Sequence, residues 1–282
     1  SFSDQLPPER FKGPVVLRRS EMSRRTSDQR LLDQRPEAPG DFTRTDPWRV
    51  LRIQAEFVEG FDALANLGPA ITVFGSARTA PGHPEYELGR ELGRQIGAAG
   101  YAVVTGGGPG VMEAANRGAV DVGAHSVGIG IELTKEQHLN PWVDLGINFR
   151  YFFARKTMFV KYSQGFVALP GGFGTLDELF EALTLVQTGK ITRFPVILVG
   201  TEYWGPLLDW ITGTLVAGGK VAEADLDLLR VVDTAKEVVE ILASVHAEDP
   251  GMQVSDAAAP RPGADAAGDP DLPGEPAPGS GA

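Results

Sequence analysis

Apolar residues through the middle of the chain follow two alternating patterns. Short runs rich in Val, Ile and Ala, of the kind buried on both faces of a parallel sheet, alternate with longer stretches spaced at three and four residues, which mark one face of a helix. The runs at Ala70–Phe74, Tyr101–Thr105, Ser126–Leu133, Gly165–Leu169 and Pro195–Val199 predict strands. The stretches at Glu85–Ala99, Val111–Val122, Phe152–Tyr162, Leu176–Gln187, Pro206–Leu215 and Ala235–Val245 predict helices. Strands alternating with helices imply an α/β fold, a Rossmann-like doubly wound parallel sheet with helices on both faces. An additional N-terminal helix opens at Asp46-Pro47, and its stripe of Val50, Ile53, Phe57, Phe61 and Leu64 has to cover something.

Two of the predicted strand-to-helix turns are glycine-rich. Ala168-Leu-Pro-Gly-Gly-Phe-Gly-Thr-Leu-Asp-Glu178 joins the fourth strand to its helix, and Gly106-Gly-Gly-Pro-Gly110 follows the second. Glycine lets the backbone approach an anion closely, and a helix start offers free amides to bind it. Ligands of open parallel sheets sit at the carboxyl ends of strands, where both turns fall. No Gly-Lys-Ser/Thr follows either turn, and Gly106–Met112 is not G-x-G-x-x-G, which disfavours a Walker-type triphosphatase and a nicotinamide dehydrogenase. Thr175 can cap its helix or reach a phosphate oxygen. Glu178, three residues on, is either the reciprocal partner of a capping box or a carboxylate placed for chemistry.

Composition narrows the classes. With 282 residues, 42% of them hydrophobic, and 35 glycines, the chain can bury one large core. Residues 1–45 are Arg-rich without apolar periodicity and are expected to form a flexible arm. Residues 46–247 form the folded domain, and 248–282, rich in Ala, Pro, Gly and Asp, a disordered acidic tail. Much of the net charge of -11 lies in that tail, so no nucleic-acid partner is expected for the body. No apolar run has the length of a membrane span and no signal-peptide pattern opens the sequence, which points to a soluble, cytoplasmic protein without a membrane partner. Cysteine is absent, and His83, His125, His138 and His246 are scattered without ligand spacing, so no metal site is expected. The polar segment Thr134–Trp142 reads either as a substrate loop or as a plain crossover. Met112, Trp142 and Phe152 are candidate pocket walls.

The string Pro170 to Glu178 matches P-G-G-x-G-T-x-x-E at every fixed position, the Gly106–Met112 loop matches a second family feature, and Arg155-Lys156 a third. On these residues the chain resembles the Lonely Guy (LOG) proteins, cytokinin riboside 5'-monophosphate phosphoribohydrolases, across roughly Ile71 to Ile211. The arm, the additional helix and the tail look more like the longer bacterial members. The resemblance implies hydrolysis of the N-glycosidic bond of AMP or an N6-substituted AMP, with Arg155 and Glu178 as the catalytic pair. It implies substrate contacts at Glu136, Lys156, Gly107, Gly108, Gly171, Gly172, Gly174, Thr175 and Thr184. No cofactor is implied; the partner is a small nucleoside 5'-monophosphate, and copies are expected to form a homo-oligomer, a dimer or a hexamer. A non-catalytic nucleotide-binding module is the competing reading. No lysine stands in a recognisable setting for pyridoxal phosphate chemistry.

Overall fold

The computed structural model describes residues 11–12, 26–32, 46–132, 139–191 and 194–247. Among them one sheet contains β1 (Phe11–Lys12), β2 (Ala70–Phe74), β3 (Ala102–Thr105), β4 (Ser126–Ile131), β5 (Leu145–Phe149), β6 (Phe166–Ala168), β7 (Val196–Val199) and β8 (Leu229–Val232). Every hydrogen-bonded pair is parallel, in the order β1-β5-β4-β3-β2-β6-β7-β8. The helices are α1 (Ser27–Leu31), α2 (Asp46–Leu64), α3 (Pro84–Ala98), α4 (Val111–Asp121), α5 (Phe152–Tyr162), α6 (Phe173–Gln187), α7 (Thr201–Trp210) and α8 (Ala235–Ala247). No described helix is long and apolar enough to cross a membrane.

Alternation along single strands builds the two layers. Ala70 and Phe74 of β2 join the core under α2, α5, α6 and α7, while Ile71 and Val73 join the core under α3, α4 and α8. On that second face α3 and α4 pack backbone to backbone. A Cβ on Gly93 would collide with the Ala115 carbonyl, and one on Gly118 with the Arg90 carbonyl, so those two glycines set the helix separation. The first face carries a row of edge-to-face aromatic pairs, Phe74 with Phe159 and Phe166, and Phe166 with Phe194.

Three expectations change. β5 and β8 were not predicted, because Leu-Gly-Ile-Asn-Phe is interrupted by Gly and Asn, and Leu-Arg-Val-Val is a short, half-exposed edge strand set among acidic residues. Within 1–45, expected to be a flexible arm, the described residues carry regular structure: Phe11–Lys12 pairs with Gly146 and Ile147 of β5, and α1 is capped by Thr26 and Gln29 in a reciprocal box. The stripe of α2 also differs. Ile53, Phe57 and Leu64 pack on the core, but Val50 and Phe61 are exposed, and Glu56 is fully buried in their place. The tail 248–282 lies outside the described residues.

Candidate active site

The chain runs outward from β2 through β3, β4 and β5, then returns to place β6 on the other side of β2. The carboxyl ends of β2 and β6 therefore flank the point where strand order reverses, the usual ligand crevice of this architecture. A cleft of about 660 Å³ opens there, large enough for a mononucleotide. Its walls come from the loop after β2 (Gly75, Ser76, Ala77, Arg78), from Gly106 after β3, from Met112, Phe152 and Arg155, and from the turn into α6 (Gly171 to Glu178). Backbone bonds knit the loops together: Ser76 N–H donates to Pro170 O at 3.0 Å, and Val111 N–H to Ser76 O at 3.0 Å.

The turn into α6 starts its helix earlier than the apolar spacing predicts. Gly172 is the N-cap, no side chain caps the helix, and its first bond runs from Leu176 N–H to Gly172 O at 3.1 Å. The amides of Phe173, Gly174 and Thr175 are left without an intrahelical acceptor, at the positive end of the helix dipole. Thr175 is therefore not the cap, and the capping box with Glu178 does not exist; Thr175 lies inside the first turn, buried against Gly171. A Cβ on Gly171 would collide with Thr175 Oγ1, so that glycine serves packing. Gly172 and Gly174 have nothing within 4 Å of a Cβ and line the cleft. Tyr203 Oη braces the turn from α7 by donating to Gly171 O at 2.6 Å.

Glu178 lies on the next turn, 4% exposed, and its Oε2 has no hydrogen-bond partner among the described residues. An unpaired oxygen of a buried carboxylate is costly, and such groups concentrate where chemistry is done. Burial pushes its pKa up to about 7; Arg155 and Lys156 pull it down, while Glu181 and Asp177 push it further up. Arg155, one turn into α5, donates from Nε to Ile129 O at 2.7 Å and stacks its guanidinium 4.9 Å from the Phe159 ring. Burial lowers its pKa to about 10, opposed by Glu178 and Asp177, so it remains a cation at neutral pH. The site thus holds Arg155, a buried permanent cation, and Glu178, a carboxylate that titrates near neutrality, beside a set of open helix amides.

The remaining expected contacts divide. Gly171, Gly172, Gly174, Thr175, Arg155 and Glu178 meet in the cleft. Gly107 and Gly108 do not line it. Gly107 N–H donates to Thr105 Oγ1 at 2.9 Å, its carbonyl accepts from Asn140 N–H at 2.7 Å, and Gly108 O accepts from Asn140 Nδ2 at 3.0 Å. Asn140 thus fastens the end of the Thr134–Trp142 segment onto the glycine loop. Lys156 does not line the cleft; it pairs with Asp177, which does, and with Glu181, each at 3.0 Å. Burial pulls its pKa down, but the two carboxylates outweigh this and hold it above the ordinary value. Thr184 lies on the outer surface of α6, donating to Phe180 O at 2.7 Å. Glu136 is outside the described residues. Of the candidate walls, Met112 and Phe152 line the cleft, whereas Trp142 lies under Arg117. Arg78, Ser76, Asp177 and Tyr203 line it unforeseen, although Gly75-Ser-Ala-Arg78 ends a predicted strand and could have been suspected on that ground.

Known proteins can now be set beside this geometry. A family profile described as "Possible lysine decarboxylase" matches residues 112–242. The cytokinin riboside 5'-monophosphate phosphoribohydrolase of Mycobacterium tuberculosis is 33% identical over 170 residues, 58% of this chain and 89% of that protein. The enzyme of the same name, LOG, from Oryza sativa subsp. japonica is 32% identical over 53% of this chain and 62% of its own length, and LOG3 of Arabidopsis thaliana 33% over 54% and 71%. The chain belongs to the LOG family. Among solved structures, the molybdenum cofactor carrier protein of Chlamydomonas reinhardtii aligns with a TM-score of 0.48 at 27% identity, over 64% of this chain and 99% of that one. The LOG relatives include proteins of plants and bacteria named as phosphoribohydrolases.

Proposed function

We propose that this protein hydrolyses the N-glycosidic bond of a nucleoside 5'-monophosphate, AMP or an N6-substituted AMP, to free base and ribose 5-phosphate. The observation that carries the reading is Glu178: a buried carboxylate with an unpaired oxygen, raised to about 7, facing the same cleft as the Arg155 cation and the uncapped start of α6. In the reaction the oxygen of water bonds to C1', the C1'–N bond breaks and its electron pair leaves with the base, and the proton that water loses balances the one the departing base takes up. Positive charge builds on the ribose and negative charge on the base. Ionised Glu178 orients the water and ribose hydroxyls and stabilises the cationic ribose. Arg155 stabilises and positions the departing negative charge; it does not act as an acid, because its pKa near 10 keeps it protonated. The 5'-phosphate sits on the amides of Phe173, Gly174 and Thr175, so binding energy from a remote group holds C1' in place for attack.

Decarboxylation of lysine is a poorer fit. Pyridoxal phosphate chemistry needs a lysine amine at the reacting centre, but among the described residues lining the cleft there is no lysine, and Lys156 is held by Asp177 and Glu181. The test is chromatographic measurement of free base released by purified protein from AMP and from isopentenyl-AMP, with Glu178→Ala as control. Faster turnover of isopentenyl-AMP identifies a cytokinin-activating enzyme, and faster turnover of AMP a salvage enzyme. Tight binding of both nucleotides without base release would leave a nucleotide-binding module and overturn the hydrolase.

A further inference from the structure

The helix that carries Arg155 has no cap of its own. Its N-cap residue, Tyr151, makes no side-chain capping bond. The amides leading into α5 are instead held by carboxylates from two segments that lie between β1 and β2 in sequence. Glu56 of α2 accepts from Arg150 N–H at 3.1 Å and 3.2 Å through its two oxygens, and from Tyr151 N–H at 3.3 Å. Asp28 of α1 accepts from Phe152 N–H at 3.2 Å. The same short helix is tied to the end of β4, where Ser27 N–H donates to Glu132 Oε2 at 2.8 Å.

These bonds reach Arg155 along two routes. Its own amide donates to Tyr151 O at 3.2 Å, so the residue that Glu56 holds is the one from which the Arg155 backbone hangs. Its side chain is anchored on Ile129 O of β4, the strand whose end holds α1. Glu56 is fully buried, and burial pushes its pKa up to about 7 against the amide bonds and Arg150. A helix N-terminus can be satisfied by an exposed Ser or Asp at far lower desolvation cost. The costly arrangement gives something a surface cap does not, a rigid link between α2 and the first turn of α5.

We propose that Glu56, assisted by Asp28, is a positioning residue that sets the place of Arg155 in the cleft from α2 and α1, outside the Rossmann-like core. The inference rests on the proposed N-glycosidase reading for its catalytic readout. Glu56 touches no substrate and acts through the start of α5.

Full-length Glu56→Ala and Glu56→Gln are compared with wild type, alone and combined with Arg155→Ala. A displacement of a catalytic group by about 1 Å costs up to roughly 10²-fold in rate, so Glu56→Ala lowers kcat about 10- to 100-fold while KM for AMP stays within about threefold. Because the loss passes through Arg155, adding Glu56→Ala to Arg155→Ala lowers kcat by less than about threefold more. Gln keeps one acceptor oxygen, and its kcat falls between wild type and Ala. Hydrogen exchange supplies a readout independent of catalysis: the amides of Arg150 and Tyr151 exchange faster in both variants, those of α6 do not. Should Glu56→Ala fail to fold, Glu56→Gln alone decides. Unchanged kcat beside faster exchange makes Glu56 a mere stabiliser of the fold and overturns the inference, as does a fully multiplicative loss in the double variant or unchanged exchange at both amides. A wild-type chain that releases no base refutes the function itself, whereas an active wild type with a fully active Glu56→Ala refutes only the positioning role.

Discussion

In the proposed function Glu178 is the reacting carboxylate, and its environment makes two properties move in opposite directions. The folded pKa near 7 lies above the ordinary 4.5, so between those values the folded state binds the proton more tightly than the unfolded state does. Stability from this group is fully present below about pH 4.5, declines as pH rises towards 7, and stays lower above. Glu178→Gln removes that cost. The variant should melt at a higher temperature than wild type at about pH 8, and the two should converge near pH 4, while base release falls by at least about 10² to 10⁴. Melting curves and turnover from one preparation check both. A lower melting temperature at every pH would mean that the carboxylate stabilises the fold instead. For wild type, kcat/KM should fall about tenfold per unit below roughly pH 7, since Glu178 must be ionised; a profile flat down to pH 5 would remove it from that role.

Helix starts decide how the elements serve the site, and glycines that look alike in sequence do different work there. Gly171 packs against Thr175, and Gly110, with a φ of +72°, sits where a Cβ would strike Ser76 O. Gly172 has φ of −90° and open space around it, so an added methyl costs the fold little and intrudes only on what enters the cleft. Gly172→Ala should therefore keep the wild-type melting temperature within a degree or two, yet raise KM for AMP and weaken inhibition by inorganic phosphate. Gly110→Ala should lower the melting temperature by several degrees, the scale of a strained backbone position. Equal thermal losses in the two variants would refute this division. The sequence makes both glycine turns visible, because each is a local string, and Arg155 and Glu178 become a candidate catalytic pair only through the resemblance to the LOG motifs. It hides which glycine faces the cleft, since that depends on neighbours far along the chain: Thr105 and Asn140 close around Gly107, and Tyr203 braces Gly171. Glu56 is hidden for a related reason. The apolar spacing of α2 places a stripe through Val50 and Phe61, but the start of α5 needs an acceptor, and that long-range demand buries a carboxylate on the face that would otherwise be read as core.

At the scale of the whole molecule, the cleft is where the two halves of the sheet meet, and occupancy should be felt on both sides. The loop after β2 leads into the half built of β3, β4 and β5, while the turn after β6 begins the half built of β7 and β8. In the sheet their direct connection is the β2–β6 ladder, extended at its carboxyl end by the bond from Ser76 N–H to Pro170 O, and a ligand reaching from the α6 amides to the β2 loop adds a further link beyond that ladder. A ligand that binds only the folded state stabilises it by about 2.7 kcal/mol at a concentration one hundred times its Kd. AMP should give a concentration-dependent rise in melting temperature. Ribose 5-phosphate should give a smaller rise, since it fills the phosphate site without the base, and adenosine the least, since it leaves the helix amides empty. Hydrogen exchange with AMP bound should slow in Gly75–Arg78 and in Gly171–Thr175 together. Protection of the α6 turn alone would mean that the nucleotide does not cross the switch point. An adenosine shift equal to that of AMP would leave the uncapped helix start without a part in recognition, and the assignment of its amides to the 5'-phosphate would have to be withdrawn.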